Sequence, residues 1–255
     1  MLEDIDVKVG YRFNIITGCI ILDNGKVLFS EYTAGQCTNC VSLNDRNGNY
    51  IRTVLALNTY YEPYYDIASI DTNTMAFSTR TRIQIVNLDT LLIIQNIKNN
   101  GFCYGITHCD GKLYYCHEKE GIQRFYFKTK FSSLLVPTKD VGRFSYISSD
   151  GNKLFYTSNT ETVTCCDMNG KQIWKFQDTS PLHSPRGVVV DNQGFVFMAG
   201  EKSGNIVVIS PDGNSSKEVN QISSPRAMCY DKNENKIHVC HSLDKASWLQ
   251  ISLDL

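Results

Sequence analysis

An all-β fold, a six-bladed β-propeller of four-stranded antiparallel blades, is predicted by three observations on the sequence. An apolar run, a tight polar turn and a second apolar run recur along all 255 residues, with turn aspartates at 23, 71, 110, 150, 191 and 231. A period of about forty residues marks stacked supersecondary units. Each unit also carries a second pair of short apolar runs, and no stretch shows a helical period. The last unit stops after three strands, while Ile5-Asp6-Val7-Lys8-Val9 is an alternating strand with no sheet of its own. Pairing the two closes a ring and removes a loose edge.

The units can be justified in order. The first runs Gly18-Cys19-Ile20-Ile21-Leu22, turns at Asp23-Asn24-Gly25, and returns through Val27-Leu28-Phe29-Ser30. The second places Ile67-Ala68-Ser69-Ile70 before Asp71 and Met75-Ala76-Phe77-Ser78 after it, then adds Ile83-Gln84-Ile85-Val86 and Leu91-Leu92-Ile93-Ile94. The third pairs Gly105 to Cys109 with Leu113 to Cys116 across Asp110-Gly111. In the fourth, Asn169-Gly170 between Thr164-Cys165-Cys166 and Ile173-Trp174 is a strong hairpin signal, because both turn residues tolerate positive φ. The fifth is the clearest copy: Ser184-Pro185-Arg186-Gly187, Val188-Val189-Val190, the turn at Asp191, Phe195-Val196-Phe197-Met198, then Ile206-Val207-Val208-Ile209 and Pro211-Asp212-Gly213. The sixth repeats it as Ser224-Pro225-Arg226-Ala227-Met228-Cys229-Tyr230-Asp231 and Lys236 to Cys240. The expected blades are 17–56, 65–98, 104–137, 144–177, 185–219 and 225–255, the last completed by strand 5–9, with the whole chain as one domain.

Composition narrows the function classes. A net charge of −1 from 25 basic and 26 acidic residues gives no global field for nucleic acid or anionic membrane. The acidic start lacks a secretory pattern, and no run reaches the roughly 18 apolar residues of a membrane span. Most of the ten cysteines sit inside apolar runs, where a free thiol behaves as a small hydrophobe, so reduced thiols in the cytoplasm are expected.

The Ser-Pro-Arg-Gly loop, the apolar triplet, Asp-x-x-Gly and the later Pro-Asp-Gly resemble the NHL repeat. Residues 184–213 carry the likeness well and 224–241 fairly; 17–30 and 105–116 carry it partly, and 65–78 and 144–157 in outline. The resemblance is to the C-terminal propellers of tripartite-motif proteins. It implies recruitment of a protein substrate to a ubiquitin-ligase module, or single-stranded RNA binding on one face. The chain shows no RING-type Cys/His ladder and no coiled-coil heptads.

In a propeller, the residue just before each inner strand recurs around the channel mouth. Here that ring reads Thr17, Tyr65, Tyr104, Phe144, Arg186 and Arg226. Aromatics stack on bases or apolar anchors, and arginine bonds phosphate or carboxylate bidentately. Tyr65, Tyr104, Phe144, Arg186 and Arg226 are therefore the expected ligand-binding residues, for an acidic or phosphorylated peptide. The plainer alternative is that the arginines bond loop carbonyls and the aromatics plug the channel. RNA ranks second, because Glu118, Glu120, Glu161, Glu201 and Asp244 oppose Arg80, Arg82, Arg186 and Arg226 on the same face, and phosphate binding needs net positive charge.

Enzymatic readings find little purchase. The inner strands offer almost no carboxylates for a channel metal, and of five histidines only His108 lies on one. Cys37-Thr38-Asn39-Cys40 lacks a second ligand pair. The turn aspartates are explained by turn chemistry. The sequence thus predicts a non-enzymatic interaction module with no catalytic residue, metal or cofactor. A protein or peptide partner is expected, RNA is the alternative, a channel metal hydrolase a distant third, and the domain is expected to be a monomer without membrane contact.

Overall fold

The structure, a computed structural model, describes residues 2–6, 14–33, 38–58, 62–177, 182–241 and 245–250. Twenty-four strands form six four-stranded antiparallel sheets. The first strand, β1 (Leu2–Asp6), is set aside for the last sheet. Blade 1 holds β2 (Asn14–Ile21), β3 (Val27–Thr33), β4 (Thr38–Asn44) and β5 (Tyr50–Asn58). Blade 2 holds β6 (Asp66–Ser69), β7 (Thr74–Ser78), β8 (Arg82–Asn87) and β9 (Leu92–Lys98). Blade 3 holds β10 (Cys103–Cys109), β11 (Lys112–His117), β12 (Gly121–Tyr126) and β13 (Phe131–Pro137). Blade 4 holds β14 (Ile147–Ser149), β15 (Lys153–Thr157), β16 (Val163–Asp167) and β17 (Gln172–Phe176). Blade 5 holds β18 (Pro185–Val190), β19 (Val196–Gly200), β20 (Asn205–Ile209) and β21 (Ser216–Gln221). Blade 6 holds β22 (Pro225–Asp231), β23 (Lys236–His241) and β24 (Lys245–Gln250), with β1 outermost.

The ring is closed as the sequence predicts, by an N-terminal strand pairing with β24 from Leu2↔Leu249 to Asp6↔Lys245. That strand is 2–6 and not 5–9; residues 7–13 lie outside the described segments. Alternation alone could not separate the two registers.

Burial follows radial position. Every residue of β20 is buried, because neighbouring blades cover both faces of a middle strand. The outer strand β9 is mostly exposed. The near-continuous apolar run Ile206–Ile209 is the sequence trace of that two-sided burial. The turn aspartates act as turn formers: Asp191 Oδ1 accepts the backbone N–H of Gln193 and Phe195, and Asp231 Oδ1 those of Asn233 and Glu234.

The inner strands converge at one repeated position, the residue after the ring position: Gly18, Asp66, Gly105, Ser145, Gly187 and Ala227. A Cβ on Gly105 would come 2.5 Å from Tyr146 Cα, and one on Gly187 2.5 Å from Arg226 O. Small residues there let adjacent blades touch by their backbones.

Candidate functional site

Four of the six ring residues, Thr17, Tyr104, Arg186 and Arg226, owe their aim to a repeated bulge. In blade 3, Cys103 faces His117 and Ile106 faces Tyr115, so Tyr104 and Gly105 together oppose Cys116. Arg186 and Gly187 stand likewise between Pro185↔Gly200 and Val188↔Met198. Arg226 and Ala227 stand between Pro225↔His241 and Met228↔Val239, and Thr17 lies in a register shift of blade 1. A bulge bends the strand and redirects one side chain out of the sheet's alternation.

All five predicted ligand-binding residues are brought onto one face. Tyr104 packs its ring edge-on against Tyr65 at 5.0 Å, and Tyr65 meets Phe144 at 6.4 Å. The Tyr104 hydroxyl donates to Glu118 Oε2 at 3.3 Å, and burial pushes its pKa upward. Arg186 and Arg226 both place their guanidinium groups over the Phe144 ring, at 4.8 and 4.7 Å. Arg143, which sequence reasoning missed, stacks on the same ring at 4.7 Å. It follows the loop rather than the repeat, so periodicity gave no signal for it.

The arginines are not free charges. Glu201 accepts from Arg186 Nε at 2.7 Å through Oε2 and pairs with Arg226 Nη1 at 3.2 Å through Oε1. Arg186 Nη1 also reaches the Arg143 carbonyl at 3.4 Å, a loop-carbonyl bond of the kind the plainer alternative expects. Three guanidiniums nevertheless stack on one ring, and a single carboxylate, Glu201, pairs with two of them. Among the described residues no carboxylate pairs with Arg143, and the buried Nε of Arg226 has no hydrogen-bond partner. Phe144 itself has φ of +71°, a left-handed conformation that costs an aromatic residue about 1–2 kcal/mol. Beside these groups a cavity of about 240 Å³ is lined by Ile15, Thr17, Tyr32, Pro63, Tyr65, Phe144 and the two arginines Arg143 and Arg226.

Under that cavity the channel is crossed. The buried Tyr146 of blade 4 donates its hydroxyl to the Thr17 carbonyl of blade 1 at 2.5 Å. Below it a second cavity of about 450 Å³ opens among the inner strands on the side of the aspartate turns. Its wall includes Asp66, a channel carboxylate that the apolar appearance of the inner strands concealed. Asp66 is buried and accepts from Ile67 N at 2.9 Å and Ile106 N at 3.0 Å. Burial outweighs those two bonds and lifts its pKa to about 7.

Other expectations fare differently. Of the Cys37/Cys40 pair, Cys40 is a buried member of β4, with its thiol 3.6 Å from Glu31 Oε2; Cys37 lies outside the described residues. His108 lies on the inner strand β10 and lines the lower cavity. The nine described cysteines are all free. No helix among the described residues is long and apolar enough to cross a membrane.

No protein-family model matches the chain, and no curated protein matches it in sequence. Solved structures do. A Bacteroides thetaiotaomicron protein of unknown function superposes with a TM-score of 0.74 at 14% identity, over 96% of this chain and 72% of that one. Virginiamycin B lyase from Staphylococcus aureus superposes with a TM-score of 0.67 at 18% identity, over 99% of both chains. A catalytically inactive variant of that lyase, with quinupristin, gives 0.66 at 15% identity. The expectation of a non-enzymatic chain is therefore corrected: a propeller that matches this one from end to end is an enzyme, and a scarcity of channel carboxylates in the sequence does not exclude catalysis. At these identities the likeness shows the fold alone, a six-bladed β-propeller.

Proposed function

We propose that the face carrying Tyr65, Tyr104, Phe144, Arg186 and Arg226 is a receptor for a protein segment, read as a peptide with an acidic or phosphorylated side chain. The observation that carries this reading is the stack of Arg143, Arg186 and Arg226 on Phe144, of which, among the described residues, only Arg186 and Arg226 pair with a carboxylate, that of Glu201. An anion seated there pairs with the exposed Arg143, and guanidinium groups favour planar bidentate acceptors. The adjoining cavity, with Tyr32, Tyr65 and Ile15, suits an apolar side chain beside the anion. The resemblance of the repeats to tripartite-motif propellers supports substrate recruitment to a ubiquitin ligase as the setting for such a receptor.

The test uses a peptide array containing acidic, phosphoserine and neutral members. Acidic or phosphorylated peptides with a neighbouring apolar residue are expected to be retained, and Arg143→Ala with Arg226→Ala together should weaken them by roughly tenfold or more. Equal retention of neutral peptides, or unchanged affinity in the double variant, contradicts the assignment. Single-stranded RNA is the competing ligand class. A tight RNA complex whose affinity falls steeply with salt replaces the peptide reading.

A further inference from the structure

Four metal-competent side chains meet where blade 6 packs on blade 1. Cys229 and His238 are direct cross-strand partners on β22 and β23, so both project from the same side of the sheet. Cys240, two residues beyond His238, projects from that side as well. Cys19, on β2 of the facing blade, completes the group; its thiol is within hydrogen-bonding reach of those of Cys229 and Cys240. The donor atoms of Cys19, His238 and Cys240 all lie within 4.8 Å of one another, and Cys240 Sγ is 4.0 Å from His238 Nδ1.

We propose that Cys19, Cys229, His238 and Cys240 form a binding site for a thiolate-seeking d¹⁰ cation, zinc(II), which pins the closing blade to the first. Three sulfurs and one imidazole are a zinc donor set. Bond lengths of about 2.3 Å to sulfur and about 2.0 Å to nitrogen require donors roughly 3.5–3.8 Å apart. The separations among Cys19, His238 and Cys240, up to 4.8 Å, close to that with small side-chain rotations, and Cys229 joins the set from its place beside Cys19 and cross-strand from His238. All four residues are buried, and Phe29 and Trp248 hold the imidazole ring at 5.5 and 4.5 Å between centroids. Burial keeps that imidazole neutral, with its pKa lowered to about 3, which is the form that ligates a metal. The thiols are held protonated by burial, so each sulfur that binds releases its proton to solvent. Access exists: Cys19 and Cys229 line the wall of the lower channel cavity.

Thiols scattered through a core as small hydrophobes need not share one side of a sheet, nor face an imidazole from two blades. Here they do. The Cys37/Cys40 pair is the obvious competitor for an added metal, and it supplies the control.

The test is refolding of the reduced full-length chain with one equivalent of cobalt(II), followed by zinc displacement. The expected result is the intense visible spectrum and thiolate charge-transfer band of tetrahedral cobalt, lost on adding one equivalent of zinc. Cys19→Ser with Cys240→Ser should remove that spectrum or weaken cobalt binding by roughly tenfold or more, whereas Cys40→Ser should leave it intact. If the double variant does not fold, X-ray absorption at the zinc edge of the unmodified protein decides instead, with three sulfurs and one nitrogen expected. Weak octahedral cobalt bands, a spectrum that persists in the folded double variant, or a zinc shell with fewer than two sulfurs overturns the proposal.

Discussion

At the scale of residues, Phe144 and Asp66 show opposite ways of holding a group in an unfavourable state. Phe144 accepts a left-handed backbone because three guanidiniums stack on its ring, at about 0.5–1 kcal/mol each. Glycine at 144 would relieve about 1–2 kcal/mol of backbone strain. It would also forfeit those stacks and the burial of the ring, together the larger quantity. Phe144→Gly is therefore expected to lower unfolding free energy by about 1–3 kcal/mol in urea titration, and to weaken anionic-peptide binding. A more stable variant would show that strain outweighs the stack. Asp66 stands where the other repeats carry Gly, Ser or Ala, and its folded pKa of about 7 lies above the ordinary carboxylate value. Between about pH 4 and pH 7 the folded state holds a proton that the unfolded state has lost, so this group's contribution to stability declines as pH rises. The full shift corresponds to about 4 kcal/mol as an order of magnitude. Asp66→Ala, matching Ala227 of the sixth repeat, loses the two carboxylate bonds at every pH but escapes that decline. Its stability relative to the parent should improve as pH goes from 4 to 8. A difference that stays constant across that range contradicts the buried-carboxylate assignment.

At the scale of elements, the start of the inner strand is the unit that builds the site, and it is bulged at Tyr104, Arg186 and Arg226. Its position was legible in the sequence as Ser-Pro-Arg-Gly and Ser-Pro-Arg-Ala, where a small residue follows the arginine that leaves the sheet. Gly187→Ala tests this: the new Cβ would meet Arg226 O at 2.5 Å, and the backbone of blade 6 must give way. The expected cost is about 1–3 kcal/mol with loss of peptide binding, read by thermal unfolding and anisotropy. An unchanged midpoint and affinity would mean that blades 5 and 6 are not held by this contact. What periodicity could not reveal were residues whose role depends on contacts between repeats. Arg143 comes from a connecting loop, and Tyr146 crosses to the opposite blade; Glu201 was placed on this face by the repeats, but its pairing with both arginines was not. Cys229, His238 and Cys240 read as ordinary strand interior until pairing placed them side by side. The turn aspartates, by contrast, required only local chemistry, and the sequence was sufficient for them.

At the scale of the whole molecule, closure and the transverse bond of Tyr146 divide the propeller into two ends with different surfaces. Closure depends on β1, whose removal would leave β24 as an unpaired edge. Deletion of residues 1–6 is expected to lower the thermal midpoint and to promote concentration-dependent association, seen by light scattering; a monomeric variant of parental stability would show that the strand is dispensable. One end carries the arginine–aromatic stack and its 240 Å³ cavity, and the other the aspartate turns and the 450 Å³ channel. The central claim is that the first of these is the receptor face. Hydrogen–deuterium exchange, with and without the tightest-binding acidic peptide from the array, measures this most directly. Protection should concentrate at the Phe144, Arg186 and Arg226 segments and at Tyr65, while the turns at Asp23, Asp191 and Asp231 stay unchanged. Protection of those turns, with none around Phe144, would place the ligand at the opposite end and contradict the claim.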